Sequence, residues 1–437
     1  MESPETAVAT EKTLAAETAV TFRSFPFKSV FLVLFLALVT RTLWAVAMTG
    51  EPTSDARAYT LLARQLAAGG TYGFDGTPYS FWPVGYPFWL SLQFRLFGEN
   101  SALITATSIV LSVVTVGLSI VLALQWFRNR SVAVVAGAFL ALYPAYIQMV
   151  SIRVSEIPFT LFLLLGVISW GNRRQLSIKR ALLTGFFLGL AAYVRPLALG
   201  VVFPLAIARW LSRCSIKTVI IESCVVFAVV AAVVAPWTYR NFRIYERFVP
   251  ISTNGGMCFF YGNNPLAPDE VEASIEPDRD FKDDAARDAY CSAEAVKHIR
   301  SDPVAFVKRT IRKALMMWEG DTVGVVWNEP AITARLGSHS IRPLKIVSQV
   351  YWMAFGVLCI TFVCVAVLRG AWRSVLGNSA LWIALSFTGV YAVTYSQDRY
   401  HFPLVVLLAP LAAASLVGVI RRSWPEAAVQ THCQDAP

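Results

Sequence analysis

Long apolar runs separated by short polar connectors set the pattern of this chain. A bilayer hydrocarbon core about 30 Å thick requires about 20 consecutive apolar residues in a helix. Ten such segments are expected, over residues 29–49, 101–126, 131–150, 154–171, 180–194, 197–211, 217–237, 346–368, 376–395 and 402–420, and the third to sixth of them are short or closely spaced. The pattern predicts an all-α integral membrane protein: a polytopic helical bundle of about ten spans, with extracytoplasmic loops bearing interfacial helices. Along the chain this gives a polar tail (1–28), a transmembrane core (29–237) that includes an outer loop over 50–100, an extracytoplasmic loop with short helices (238–345), C-terminal spans (346–422) and a second tail (423–437).

Composition agrees. Of 437 residues, 56% are hydrophobic and 15% charged, against about 25% charged in a typical soluble domain. The net charge of +10 would point to nucleic acid on a soluble protein. Here the basic residues sit in connectors between apolar runs, where they set membrane orientation. Six groups fall on one side if the spans alternate: Arg23 and Lys28; Arg128 and Arg130; Arg173, Arg174, Lys179 and Arg180; Arg209, Arg213 and Lys217; Arg369 and Arg373; Arg421 and Arg422. That side is expected to be cytoplasmic, with both termini inside and the chain in the plasma (inner) membrane. Residues Met1 to Thr21 read as a disordered tail, and the first apolar run is too long for a cleavable signal peptide. Cys258 and Cys291 share the long outer loop and could form a disulfide there.

Three outer segments then carry the polar chemistry. In the first, Ser54 and Asp55 are plausible caps of an amphipathic helix that has Tyr59, Leu62 and Leu66 on its apolar face and ends at Gly69-Gly70. An aromatic stretch follows, Phe81-Trp82-Pro83-Val84-Gly85-Tyr86-Pro87-Phe88-Trp89, suited to headgroup depth. The second is the short turn Ser151 to Glu156. The third is the long loop from about Tyr239 to Lys345, with an acidic stretch from Asp269 to Asp288 and two expected helices. One of these starts at Asp302-Pro303 and is basic and amphipathic.

Asp55 could act as general base on an acceptor hydroxyl, or simply cap its helix. Glu156 occupies a short turn between apolar runs, where an ionisable group normally faces a bundle interior or a wet cavity. Arg195, before Pro196, can fork onto a phosphate or pair with Glu156. Arg240 and Asn241, in Pro236-Trp237-Thr238-Tyr239-Arg240-Asn241, fit donor binding or an aromatic belt with an anchor. Thr253-Asn254-Gly255-Gly256 and Tyr261-Gly262-Asn263-Asn264-Pro265 read as turns that could present amides to a sugar. Gln397-Asp398-Arg399-Tyr400-His401 is a further polar cluster on the same face. Arg41, inside the first span, is expected to face protein rather than lipid. Carboxylates and arginines sharing one interfacial rim suit an anionic lipid-linked substrate and a hydroxyl acceptor. A transporter or flippase of lipid-linked sugars is the alternative, although no internal repeat or midplane helix break is seen; a non-catalytic scaffold would tolerate loss of both acids.

In that order, Asp55, Trp82 to Pro87, Ser155-Glu156, Arg195-Pro196, Pro236 to Asn241, Asn254-Gly255-Gly256 and Gly262 to Pro265 resemble the GT-C class of membrane glycosyltransferases. The resemblance covers about residues 29–320 and lies with the glycosyltransferase family 39, the dolichyl-phosphate-mannose protein mannosyltransferases and the lipid A aminoarabinose transferases. It implies a polyprenyl-phosphate sugar donor, inversion at the anomeric carbon, and a lipid, polysaccharide or protein acceptor. It makes Asp55 and Glu156 the catalytic acids and Arg195 and Arg240 the cations at the donor phosphate, with Tyr59, Tyr86, Asn241, Asn263 and Arg399 as substrate contacts. The family often has a second acid directly after the first; here Ala56 stands there, and a divalent metal is left open.

Overall fold

The computed structural model describes residues 27–421 apart from 49, 51, 75, 173–174, 266–276 and 278. Residues 1–26 and 423–437 of the expected tails and the basic residues Arg23, Arg173, Arg174 and Arg422 lie outside the described residues, as do residues 269–276 and 278 of the acidic stretch.

The described chain is a helical membrane bundle. In chain order the helices are α1 (Phe27–Ala47), α2 (Ser54–Ala67), α3 (Gly85–Phe97), α4 (Ser101–Phe127), α5 (Arg130–Leu142), α6 (Pro144–Gln148), α7 (Glu156–Trp170), α8 (Ile178–Val194), α9 (Val202–Leu211) and α10 (Ile216–Tyr245). Then come α11 (Gly255–Asn263), α12 (Asp284–Ser301), α13 (Pro303–Glu319), α14 (Val323–Trp327), α15 (Glu329–Leu336), α16 (Ile341–Leu368), α17 (Trp372–Leu376), α18 (Ser379–Val393) and α19 (Phe402–Arg421). A two-residue hairpin, Gly73–Phe74 against Thr77–Pro78, joins α2 to α3.

Every one of the ten expected segments is helical. Among the described residues five helices are long and apolar enough to cross a membrane: α1, α4, α10, the segment Ser338–Leu368 containing α16, and the segment Asp398–Arg421 containing α19. A sixth crossing is available if Arg130–Leu142 and Pro144–Ser151, bent by 56° to each other, act together. The other four expected spans fall on α7, α8, α9 and α18, of 10 to 17 residues. Each is shorter than a straight crossing of the hydrocarbon core requires. Buried apolar side chains on α19, from Leu404 to Ala414, place that helix at the centre of the bundle. Exposed Phe31, Phe35, Leu43 and Val46 on α1 and Val350, Met353, Val357 and Ile360 on α16 face outward, as the apolar sides of lipid-facing helices do.

The bend before Pro144 explains Arg41. Proline has no N–H, so the Leu140 carbonyl loses its normal helical donor. Arg41, with no solvent exposure, supplies replacements: Nη2 donates to the Leu140 carbonyl at 2.9 Å and Nη1 to the Ala141 carbonyl at 3.1 Å, while Nε donates to Ser112 Oγ at 2.8 Å. The side chain faces protein, as its position implied.

The outer loops differ from expectation in detail. Thr53, not Ser54 or Asp55, precedes the first turn of α2. The Pro236 to Asn241 segment does not leave the helix but continues α10 to Tyr245. The Gly-Asn segments from Asn254 to Asn263 are not open turns; they form α11. Gly262 is required there, because a Cβ would land on the Thr394 carbonyl oxygen. Asp302 does cap α13, accepting from the Ala305 N–H at 2.9 Å. Among its described residues the long loop holds five helices rather than two. Cys258 and Cys291 do not form the suggested disulfide. Cys291 packs instead against Met257, with sulfurs 3.6 Å apart.

Candidate active site

Four charged side chains from four elements meet in one network. Asp55 stands in the first turn of α2, and its Oδ2 accepts from Arg399 Nη1 at 2.9 Å across 344 residues of sequence. Arg399 sits on a single 3-10 turn, Asp398–His401, just before α19. The same Nη1 lies 3.7 Å from Glu156 Oε1 at the head of α7. Glu156, 2% exposed, pairs in turn with Arg195 Nη2 at 2.6 Å, and Arg195 Nε donates to Ser155 Oγ at 3.3 Å. Arg195 is placed by the end of α8, where Pro196 stops the helix. Two carboxylates therefore alternate with two guanidiniums, and the buried charge is balanced, as burial demands.

Aromatic rings cover the cations. Arg399 lies over the Trp327 ring at 4.6 Å and Tyr400 at 5.5 Å; Arg195 lies 5.8 Å from the Tyr400 centroid and 6.0 Å from that of Phe159. Such faces attract a desolvated guanidinium. Asp55 and Arg399 line a cavity of 840 Å³. Its walls carry Phe81, Trp82, Tyr261, Trp327, Tyr395 and Tyr400, the amides of Asn254 and Gln397, and the acids Glu319 and Asp398. Ring faces with convergent amides and carboxylates are what a polyhydroxylated ligand needs. Cys258 also lines it; burial pushes that thiol up to about 12, with Asp288 adding to the shift, so it is no nucleophile at neutral pH.

The expected site residues separate into three places. Asp55, Glu156, Arg195 and Arg399 form the network, but Glu156 and Arg195 lie behind it and do not line the cavity. Tyr59 and Tyr86 are buried and meet edge to face at 5.2 Å, with Tyr59 OH 3.4 Å from Ser155 Oγ; they brace the network from behind. Arg240 is elsewhere. Its Nη1 donates to Ser80 Oγ at 2.7 Å and Asn241 Oδ1 at 2.9 Å, its Nη2 donates to the Tyr72 carbonyl at 3.0 Å, and its guanidinium covers Trp237 at 4.6 Å. Asn241, fully buried, donates to the Val249 and Ile251 carbonyls at 3.1 and 3.2 Å. These two residues clasp the first outer loop to the end of α10. Asn263 is likewise a buried latch, donating to the Phe259 and Val393 carbonyls at 2.8 and 2.9 Å.

Trp327 and Glu319 carried no sequence signal, since neither belongs to a motif. Tyr400 and Asp398 were visible only as neighbours of Arg399. The donor set does not suit a divalent metal: Asp55 and Glu156 each face a guanidinium. Among the described residues no three His, Cys, Asp or Glu side chains converge to hold one.

No family model matches the chain, and no curated protein matches its sequence. Solved structures do match. The archaeal oligosaccharyltransferase AglB from Archaeoglobus fulgidus, in complex with an inhibitory peptide and a dolichol-phosphate, superposes with a TM-score of 0.56 at 13% identity, over 91% of this chain and 50% of that one. A second structure of the A. fulgidus oligosaccharyltransferase, tethered by a disulfide bond to an acceptor peptide containing the NVT sequon, gives 0.53 at 13% identity over the same shares. ArnT from Cupriavidus metallidurans in the apo state aligns over 88% of this chain and 77% of that one at 15% identity, with a TM-score of 0.40. The chain spans about half the length of the oligosaccharyltransferase structures it matches. Helix order, outer loops and superposition together give this chain the fold of the GT-C membrane glycosyltransferases.

Proposed function

We propose that this protein is an inverting glycosyltransferase of the plasma (inner) membrane, with both termini cytoplasmic. It moves a sugar from a polyprenyl-phosphate donor to a hydroxyl on a lipid, polysaccharide or protein acceptor at the outer face. The observation that carries this reading is the network from Asp55 through Arg399 and Glu156 to Arg195, opening on a cavity walled by rings, amides and acids. The matched fold includes a structure that holds a dolichol-phosphate.

The chemistry needs few groups. The acceptor oxygen attacks the anomeric carbon, and its proton passes to Asp55. The bond from that carbon to the phosphate oxygen breaks, and polyprenyl monophosphate departs with the electron pair. Phosphate is already a good leaving group, so no general acid is required. Arg399 is the cation placed to meet the growing phosphate charge: it lines the cavity, and its buried Nε has no hydrogen-bond partner. Before the donor arrives, Arg399 holds Asp55 at 2.9 Å. A phosphate drawing Arg399 toward itself frees Asp55 to accept a proton, so donor binding arms the base. Glu156 keeps both guanidiniums in place and stays behind the cavity. Arg195 then acts on the donor through that pair, whereas Arg240 has no part in the chemistry.

A second, mostly apolar cavity of 410 Å³ lies on the other face of the first turn of α2, and Trp327 lines both. Two cavities sharing Trp327 suit a reaction with two substrates. The test is transfer from a panel of radiolabelled polyprenyl-phosphate sugars in membranes. Asp55→Asn keeps the size of the side chain and removes the base, so transfer should fall about 100- to 10,000-fold. Full activity in a purified Asp55→Asn variant would overturn the assignment.

A further inference from the structure

The transfer chemistry makes no use of His401 or Asp321, yet both fix the turn that carries Arg399. Asp398, Arg399 and Tyr400 line the cavity. His401, in the same 3-10 turn, goes into the bundle and has no solvent exposure. Its ring stacks on Trp352 with centroids 4.1 Å apart, and lies nearly parallel to Trp318 at 6.1 Å. Both indoles are themselves pinned: Trp352 Nε1 donates to the Trp318 carbonyl at 3.0 Å, and Trp318 Nε1 donates to Thr388 Oγ1 at 2.9 Å. His401 Nδ1 lies 2.8 Å from the Met317 carbonyl oxygen, which can only accept, so Nδ1 carries a hydrogen. Nε2 then faces Asp321 Oδ1 at 3.6 Å, and Asp321 is 2% exposed. At that separation the imidazole and the carboxylate are within ion-pair range but beyond hydrogen-bond reach. Asp398, Tyr143 and Tyr146 are the other titratable groups set around the pair.

We infer that His401 and Asp321 are positioning residues: a buried imidazole–carboxylate pair that sets the register of the turn presenting Arg399 to the donor phosphate. The inference rests on the donor-site reading given above. Arg399 is held at its tip by Asp55 and at its backbone by this turn, and a one-residue slip of the turn would move the guanidinium off both Asp55 and the Trp327 face. Residues at the ends of one such network usually couple in energy.

The probe is undecaprenyl monophosphate, and the protein is the full chain in phosphatidylcholine nanodiscs. Arg399→Ala should weaken the Kd. In His401→Asn the amide nitrogen can replace Nδ1 toward Met317 but cannot reach Asp321. That variant should weaken the Kd about tenfold, within the range for directly coupled groups. The double variant should bind no more weakly than Arg399→Ala alone. A purely structural role would lower the fraction of competent protein without changing the Kd of what remains. Asp321→Ala removes the same pair from the other side and gives the same shift should His401→Asn fail to fold. A wild-type Kd in either folded variant, or a His401→Asn effect undiminished without Arg399, overturns the inference. A wild-type Kd in Arg399→Ala sinks the donor-site reading itself, a separate result from a His401 effect missing while the Arg399 effect is present.

Discussion

Replacing Glu156 by glutamine keeps the shape of the side chain and removes one negative charge from beneath the site. Glu156 is 2% exposed, 2.6 Å from Arg195 and 3.7 Å from Arg399. With it gone, Asp55 alone balances two guanidiniums. At an effective dielectric of about 20, unit charges about 4 Å apart attract by about 4 kcal/mol, and the lost desolvation of the carboxylate offsets part of that. Removing one partner of a buried pair costs about 3–5 kcal/mol in stability, and that is the loss expected here. The proposed donor phosphate should respond in the opposite sense. Taking away a like charge about 7 Å from it, at an effective dielectric of roughly 40, favours binding by about 1.2 kcal/mol, close to tenfold in Kd. Thermal unfolding in nanodiscs, with and without undecaprenyl monophosphate, reads both terms. The variant should unfold earlier when apo and gain about 2.7 kcal/mol at a hundredfold excess over its own Kd. Unchanged apo stability, or weaker phosphate binding, would refute the view of Glu156 as counter-ion to the two arginines.

Other outcomes follow from the same structure. Arg240→Ala should leave the Kd for undecaprenyl monophosphate within about twofold, while costing about 1–3 kcal/mol in unfolding free energy through the lost guanidinium hydrogen bonds to Ser80, Asn241 and the Tyr72 carbonyl. Arg41→Met should cost about 2–5 kcal/mol, because the buried guanidinium hydrogen bonds to the Leu140 and Ala141 carbonyls and to Ser112 are all lost; thermal unfolding in detergent measures it, and phosphate binding should not change. Gly262→Ala should lower the yield of folded protein and cost more than about 2 kcal/mol, since the added methyl meets the Thr394 carbonyl where α11 crosses α18.

The apolar runs made the bundle legible because lipid leaves the backbone no partner but itself, so a run of that length must be helical. Arg41 was legible for the same reason: a charge within a span must find protein. Pairing was harder. Alternating spans put Arg195, Arg240 and Arg399 on one expected face, but do not say which of them meets a carboxylate. Asp55 and Arg399 are 344 residues apart, and Arg240 reaches Ser80 across 160. The Gly-Asn segments misled because glycine marks close approach as often as a turn; at Gly262 the missing side chain lets two helix ends touch.

Four arginines on the side expected to face outward can be told apart by what is left of their hydrogen-bonding capacity. Arg153 is spent on Thr60, Glu99 and Ser101. Arg240 is spent on Ser80, Asn241 and the Tyr72 carbonyl. Arg195 is committed to Glu156 and Ser155. Arg399 alone of the four both lines the large cavity and keeps a buried donor without a partner. A buried unsatisfied N–H costs about 1–3 kcal/mol, and a guanidinium retains that cost where an anionic ligand removes it. That same arginine restrains the proposed base until the ligand comes, so phosphate recognition and base release would be one event, carried by one side chain.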